Sequence, residues 1–279
     1  MLKVKSKKSF CVFQSSTLKG ASCLALQVLL ILFLIVPSYA GYILFSTDED
    51  FAIGIIQPAD DNLVSYFTDT FYLSGLLPPG SLPKQVNVDA IGILSQNEIV
   101  ISLDEDVIIS STLYADEDLI KFNGSTFSMW WNASGSGLPP EVNLDAVYVL
   151  SVSPQEVLFS LEEDAVLPTV GLVADEDIIK RKEGVGFSMF LDGSSIGIPP
   201  EADIDAIAKD PSTGHYIISL DSDAVIGSTL YFDADLIEYT GAGFTLYFDS
   251  AGAGIPAQVD INAAEIVTAT NVPQWMIFE

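Results

Sequence analysis

The stretch Ile101-Ser-Leu-Asp-Glu-Asp106, followed by Ala115-Asp-Glu-Asp118 and then Val142-Asn-Leu-Asp-Ala146, decides the architecture because it recurs. A second copy reads Phe159-Ser-Leu-Glu-Glu-Asp164, Ala174-Asp-Glu-Asp177 and Ala202-Asp-Ile-Asp-Ala206. A third reads Ile218-Ser-Leu-Asp-Ser-Asp223, Phe232-Asp-Ala-Asp235 and Val259-Asp-Ile-Asn-Ala263. An eroded first copy keeps Phe45-Ser-Thr-Asp-Glu-Asp50, Ala59-Asp-Asp61 and Val86-Asn-Val-Asp-Ala90. A period of about 58 residues signals stacked or radial supersecondary units. The repeats run over about 42–98, 99–156, 157–215 and 216–279.

Within the third intact copy, Tyr216–Leu220, Asp235–Tyr239, Phe244–Phe248 and Ile261–Val267 are short apolar runs bounded by Gly, Pro, Asp and Ser. Such runs are strands, and no stretch after residue 40 sustains a helical period over three turns. Four short strands per unit predict an all-β, four-bladed β-propeller, with a linear β array as the alternative. The C-terminal run Ala264–Thr270 matches the strand that follows each Asp-Ala pair, so it is placed to complete the blade begun at Tyr42–Phe45. Trp275–Phe278 duplicates the Tyr42 position and leaves the overlap open. Aromatic runs (Phe127–Trp131, Phe187–Phe190, Phe244–Phe248 and the weaker Thr70–Leu73) read as packing between blades. A sugar platform at Trp130 and Trp131 is the sharper reading, and alternation allows only one of those two into the core.

Residues 1–40 contain five lysines and no acid, then an apolar run over Leu24–Val36 and small residues at Ser38 and Ala40. This reads as a secretory signal cleaved after Ala40; the run is short for a membrane-spanning helix. Removing it takes the net charge from −27 to −32 and removes both cysteines, Cys11 and Cys23. The domain 41–279 must then be held by its core, without disulfides. So negative a surface excludes nucleic acid and, once the leader is gone, anionic membrane as partners. The location expected is secreted or extracytoplasmic, at the cell surface or in the periplasm.

The copies resemble an Asp-rich repeat of exported bacterial proteins, in which segments like Asp116–Gly124 and Phe187–Gly193 recur. The resemblance spans residues 42 to about 270 and implies export without bringing an activity. They are more distantly similar to hemopexin-type four-bladed propellers, whose units also open with an Asp-Ala strand, as at Asp89-Ala90, Asp145-Ala146 and Asp205-Ala206. The aromatic signature and bridging cysteines of that family are missing, so this likeness implies architecture alone.

Most of the acids fall in the recurring clusters, where alternate carboxylates of an extended segment point the same way. The pairs are Asp48/Asp50, Asp104/Asp106, Asp116/Asp118, Asp175/Asp177, Asp221/Asp223 and Asp233/Asp235, with Asp164 closing the second copy's cluster. These thirteen are the candidate metal ligands. Like charges so close need a cation, a proton or backbone donors, and Ca2+ suits an exported all-oxygen site. The alternative is that the aspartates cap turn amides. The Asp of the Asp-Ala pair becomes Asn262 in the last copy, which keeps an oxygen and loses the charge.

One histidine, His215, and no cysteine after the leader exclude the usual nucleophilic triads. His215 reads as a turn residue, and Lys180-Arg181-Lys182 as partners for neighbouring acids. The function expected is a non-catalytic binding or surface-interaction module, calcium-stabilised, with a protein or carbohydrate ligand. The alternative is a carbohydrate-active hydrolase using paired carboxylates.

Overall fold

A computed structural model describes residues 41–50, 52, 63–67, 70–73, 77, 80–83, 86–95 and 97–268. The leader, Ala59-Asp-Asp61 and Trp275–Phe278 lie outside them. Four antiparallel four-stranded sheets make a four-bladed β-propeller. The closing blade joins β1 (Gly41–Ser46), β2 (Val64–Phe67) and β3 (Thr70–Leu73) to the last strand, β22 (Ala263–Thr268). The second blade is β4 (Val88–Ser95), β5 (Glu98–Leu103), β8 (Leu119–Phe122) and β9 (Phe127–Trp131). The third is β10 (Leu144–Val152), β11 (Gln155–Leu161), β14 (Ile178–Lys182) and β15 (Gly186–Leu191). The fourth is β16 (Ala206–Lys209), β17 (Tyr216–Ser219), β20 (Leu236–Tyr239) and β21 (Phe244–Phe248).

The ring is closed by chemistry legible at both ends of the chain. Val267 pairs with Tyr42, and the register runs on through Ile266↔Ile43 to Ala263↔Ser46. The linear array is thereby ruled out. Closure also removes the open inner edge that the first or last sheet of a linear array would expose. The innermost strands β4, β10, β16 and β22 pack around the axis.

Each blade's second strand is buried on both faces, as in Ile99–Ile101, Val157–Phe159 and Ile217–Ile218, which explains its unbroken apolar run. Four apolar clusters fill the four blade junctions. Phe159 is fully buried with Trp131 and Phe187 between the second and third blades. Phe45 packs with Phe248 between the fourth and the closing blade. Trp131 is thus core and Trp130 half-buried, in keeping with alternation. The serine of each Ser-Leu-acid motif is fully buried: Ser102 Oγ donates to the Asp116 carbonyl (3.0 Å) and Ser219 Oγ to the Asp233 carbonyl (2.9 Å).

One element corrects the sequence reading. The segment around Gly227, between the runs Tyr216–Leu220 and Asp235–Tyr239, is a hairpin, β18 (Ala224–Ile226) with β19 (Thr229–Tyr231). Its counterparts are β6 (Val107–Ile109) with β7 (Thr112–Tyr114), and β12 (Ala165–Leu167) with β13 (Gly171–Val173). In the first of these, Ser110 and Ser111 both take positive φ (51° and 70°), as a two-residue turn of type I′ demands. Each hairpin buries one face on its blade junction and exposes one apolar cross-strand pair: Ile108/Leu113, Val166/Leu172 and Val225/Leu230.

Lys180 and Lys182 both pair with Glu156, the latter at 3.1 Å, while Arg181 stacks over Trp131 at 5.1 Å. His215 sits in the turn before β17 with Nδ1 2.8 Å from Glu238 Oε1.

Phe159→Ala should destabilise the ring by about 3–5 kcal/mol, the usual cost of emptying a buried aromatic site. Leu172→Ala, on an exposed hairpin face, should stay within about 0.5 kcal/mol. Urea unfolding of both variants checks this, and equal losses would contradict the assignment of the core.

Candidate functional site

The axial strands all begin at the same end of the ring, and their first residues build an acidic mouth there of about 450 Å³. Three positions of each blade contribute. The outermost is the first acid after the second strand: Asp48, Asp104, Glu162 and Asp221. Next come Asp260, Asn87, Asn143 and Asp203, and deepest are Asn262, Asp89, Asp145 and Asp205 of the Asp-Ala position. With Glu163 the lining holds ten carboxylates, three asparagines and no basic residue.

Local structure aims these groups inward. Between Val88↔Leu103 and Ala90↔Ser102 the register slips by one residue, so Asp89 stands on a β-bulge. The ladder slips similarly across Asp145-Ala146. Bulges re-aim a side chain and end pairing. The outer and middle positions are tied reciprocally. Asn87 donates its amide to Asp104 Oδ1, Asp203 to Asp221 Oδ1 and Asp260 to Asp48 Oδ1, each at 2.8 Å. The Asp104, Asp221 and Asp48 amides return to the Asn87, Asp203 and Asp260 carbonyls at 3.4, 3.1 and 3.4 Å.

The deeper positions are poorly served. Among the described residues, the buried side-chain oxygens and nitrogens with no hydrogen-bond partner are Asn87 Oδ1, Asn143 Oδ1, both oxygens of Asp205, Asp260 Oδ1 and Asn262 Oδ1. All six line the mouth. Burial lifts Asp89 to about 7, helped by the charges of Asp104 and Glu162 and opposed by the Asn143 amide. Burial and the neighbouring Asp221 lift Asp203 to about 7. Asp145 is raised well above the carboxylate range by burial and by Asp89, Glu162 and Asp203. The facing Asp205 and Asp260 are both raised, by burial first. Glu265, buried on β22, is pushed to about 8 by burial against partial relief from the Ile266 and Ile93 amides.

The thirteen candidate ligands separate into three groups. Asp48, Asp104 and Asp221 line the mouth. Asp118, Asp177 and Asp235 are buried staples that join the turn before the third strand to the loop after the fourth. Asp118 accepts from the Ala115 and Ala133 amides, Asp177 from Ala174 and Gly193, and Asp235 from Phe232 and Ser250. The rest lie outside the mouth lining. Asp106 accepts from the Asp116 amide and Asp223 from the Asp233 amide, both at 3.3 Å, and Asp175 and Asp233 accept from the amides that follow them. Asp50 and Asp164 are exposed. Asp106, Asp116 and Glu117 bring carboxylate oxygens within 4.8 Å of one another, the one such trio among the described residues.

Sequence reasoning by neighbouring pairs left out Asp89, Asp145, Asp203, Asp205, Asp260, Asn87, Asn143, Asn262, Glu162 and Glu163 as mouth residues. Their signal was the recurring [Asn/Asp]-x-[Asp/Asn]-Ala at the start of every axial strand.

No family model and no curated protein matches the chain. Among solved structures, it is similar to the extracellular domain of a putative hybrid two-component system from B. thetaiotaomicron, at 11% identity and a TM-score of 0.31. It is also similar to a protein of unknown function from Bacteroides caccae, at 10% identity and a TM-score of 0.24. The alignments cover 77% and 75% of this chain but only 39% and 57% of those chains. The fold assignment here rests on the strand pairing.

The raised carboxylates set the sign of the pH dependence. Asp89, Asp203 and Asp260 titrate at about 7 in the folded chain against an ordinary value of 3.8. Between those values the folded chain holds more protons than the unfolded one, so stability falls as pH rises through this window. The metal-free protein should therefore melt at a higher temperature near pH 5 than near pH 8. A melting temperature that fell on this acidification would contradict the burial of these groups.

Proposed function

We propose that this protein is an exported, non-catalytic binding module that is stabilised by calcium and uses the acidic mouth as its ligand face. The observation that carries the reading is the set of six buried, unpartnered side-chain atoms, every one at the mouth. A buried polar group without a partner costs about 1–3 kcal/mol, more when charged, so the arrangement suits an occupant that supplies positive charge. The donors are all oxygens, the chemistry of a hard cation such as Ca2+ rather than of zinc or copper. A lining without basic residues also suits a cationic group of a protein or carbohydrate partner. Export follows from the reading of the leader; no helix among the described residues is long and apolar enough to cross a membrane.

The hydrolase alternative needs one acid set apart from its symmetric relatives, with a second beside it as base or nucleophile. Here six mouth acids from four blades are raised together, which favours a repeated binding surface over a single catalytic pair.

Thermal unfolding of the exported protein, metal-stripped and then with calcium or magnesium in the millimolar range, tests the reading. Calcium at a hundredfold excess over Kd should stabilise the fold by about 2.7 kcal/mol, with magnesium less effective. Identical melting in calcium, magnesium and chelator would remove calcium from the account. Turnover of a glycoside by the same preparation would favour the hydrolase.

A further inference from the structure

The blade junctions of the mouth are versions of one contact. The deepest residue of one blade meets the middle residue of the next at two junctions, Asp89 with Asn143 and Asp205 with Asp260, and Asp145 feels the charge of Asp203 at a third. At the first junction the Asn143 side-chain amide does the bridging. Its Nδ2 donates to Asp89 Oδ2 at 3.0 Å and reaches Glu162 Oε2 at 3.2 Å. At the Asp205–Asp260 junction that amide is replaced by a carboxylate, so the donor is gone and a second charge has arrived. Asp205 is only 3% exposed, yet no amide or hydroxyl reaches either of its oxygens, and its carboxyl meets only the carboxyl of Asp260. Asp260 Oδ1 and the neighbouring Asn262 Oδ1 are unpartnered as well.

We propose that one hard divalent cation of the calcium class bridges Asp205 to Asp260 and Asn262, taking the place of the missing amide. The inference rests on the reading of the mouth as a cation site and adds where the ion sits and what it joins. Asp205 leads into β16 of the fourth blade, whereas Asp260 and Asn262 lead into β22, the strand that closes the ring. The ion is thus a latch across the seam between the fourth blade and the closing blade, whose β22 pairs with β1. Three side chains leave room for water among the six to eight oxygens that calcium takes. The Asp106/Asp116/Glu117 trio is denser, but Asp106 is exposed to solvent and already accepts from the Asp116 amide. That trio lacks the unmet demand seen at Asp205.

Sister blades supply variants that the fold accepts, because Asn stands naturally at the positions equivalent to 260 and 205. Calcium titration calorimetry and hydrogen exchange on the exported wild-type protein, Asp260→Asn, Asp205→Asn, Asp89→Asn and Asp106→Asn test the assignment. In wild type, calcium should slow amide exchange in β22 and β1. Asp260→Asn and Asp205→Asn should each weaken calcium binding at least tenfold, and Asp260→Asn should melt higher than wild type without metal. Asp106→Asn, outside the mouth, should bind calcium as wild type does.

If Asp89→Asn loses calcium while Asp260→Asn keeps it, the seam site is overturned but the reading of the mouth as a cation site survives; if Asp106→Asn alone loses it, both fall. If the wild-type protein ignores calcium altogether, both fall. A proton shared between Asp205 and Asp260 would then explain a more stable Asp260→Asn.

Discussion

Closing four blades on one axis forces like to meet like. Whatever residue opens an axial strand is brought beside its counterparts from the other blades, and in this chain that residue is Asp three times and Asn once. The ring's stability comes from the apolar junctions lower down, where Phe45, Phe159 and their neighbours are fully buried. The same closure gathers carboxylates at the mouth and takes much of their water away. The apolar clusters and the acidic mouth are therefore one construction: packing holds the strands where their charges repel.

Two classes of aspartate emerge from it. Asp118, Asp177 and Asp235 are buried but have backbone amides on both carboxylate oxygens. Those donors only partly offset the burial that raises Asp118 and Asp177, and these residues fasten the loops of each blade. Asp205 is as buried but receives no backbone amide on either oxygen and meets only the carboxyl of Asp260. The identical residue type at similar exposure thus has opposite electrostatic needs, set by whether the backbone nearby has a free N–H to give.

This difference marks where the sequence stops being readable. Repeat period, strand runs, the closing role of the last strand and the exclusion of one of Trp130 and Trp131 from the core were all visible as patterns in the chain. The hairpins were not, since three-residue strands around Ser110-Ser111 or Gly227 are too short to show alternation. Among the acids, pairs two apart in sequence drew attention because extended geometry aligns them. The pairs that matter at the mouth, such as Asp205 with Asp260 or Asp89 with Asn143, are 54 or 55 positions apart and meet only once the ring exists. The swap of Asn87 and Asn143 for Asp203 and Asp260 was on the page, but its meaning required knowing which residue each one faces.

The central claim is that a bound cation, and not a proton or a solvated void, balances the charge at the seam. A crystal of the protein grown with calcium, with anomalous diffraction data, tests it most directly. The account predicts an anomalous peak at the ring axis, with Asp205, Asp260 and Asn262 oxygens about 2.3–2.6 Å away. A peak only at the Asp106–Asp116–Glu117 rim would contradict it. So would a metal-free mouth in which Asp205 and Asp260 share a short hydrogen bond.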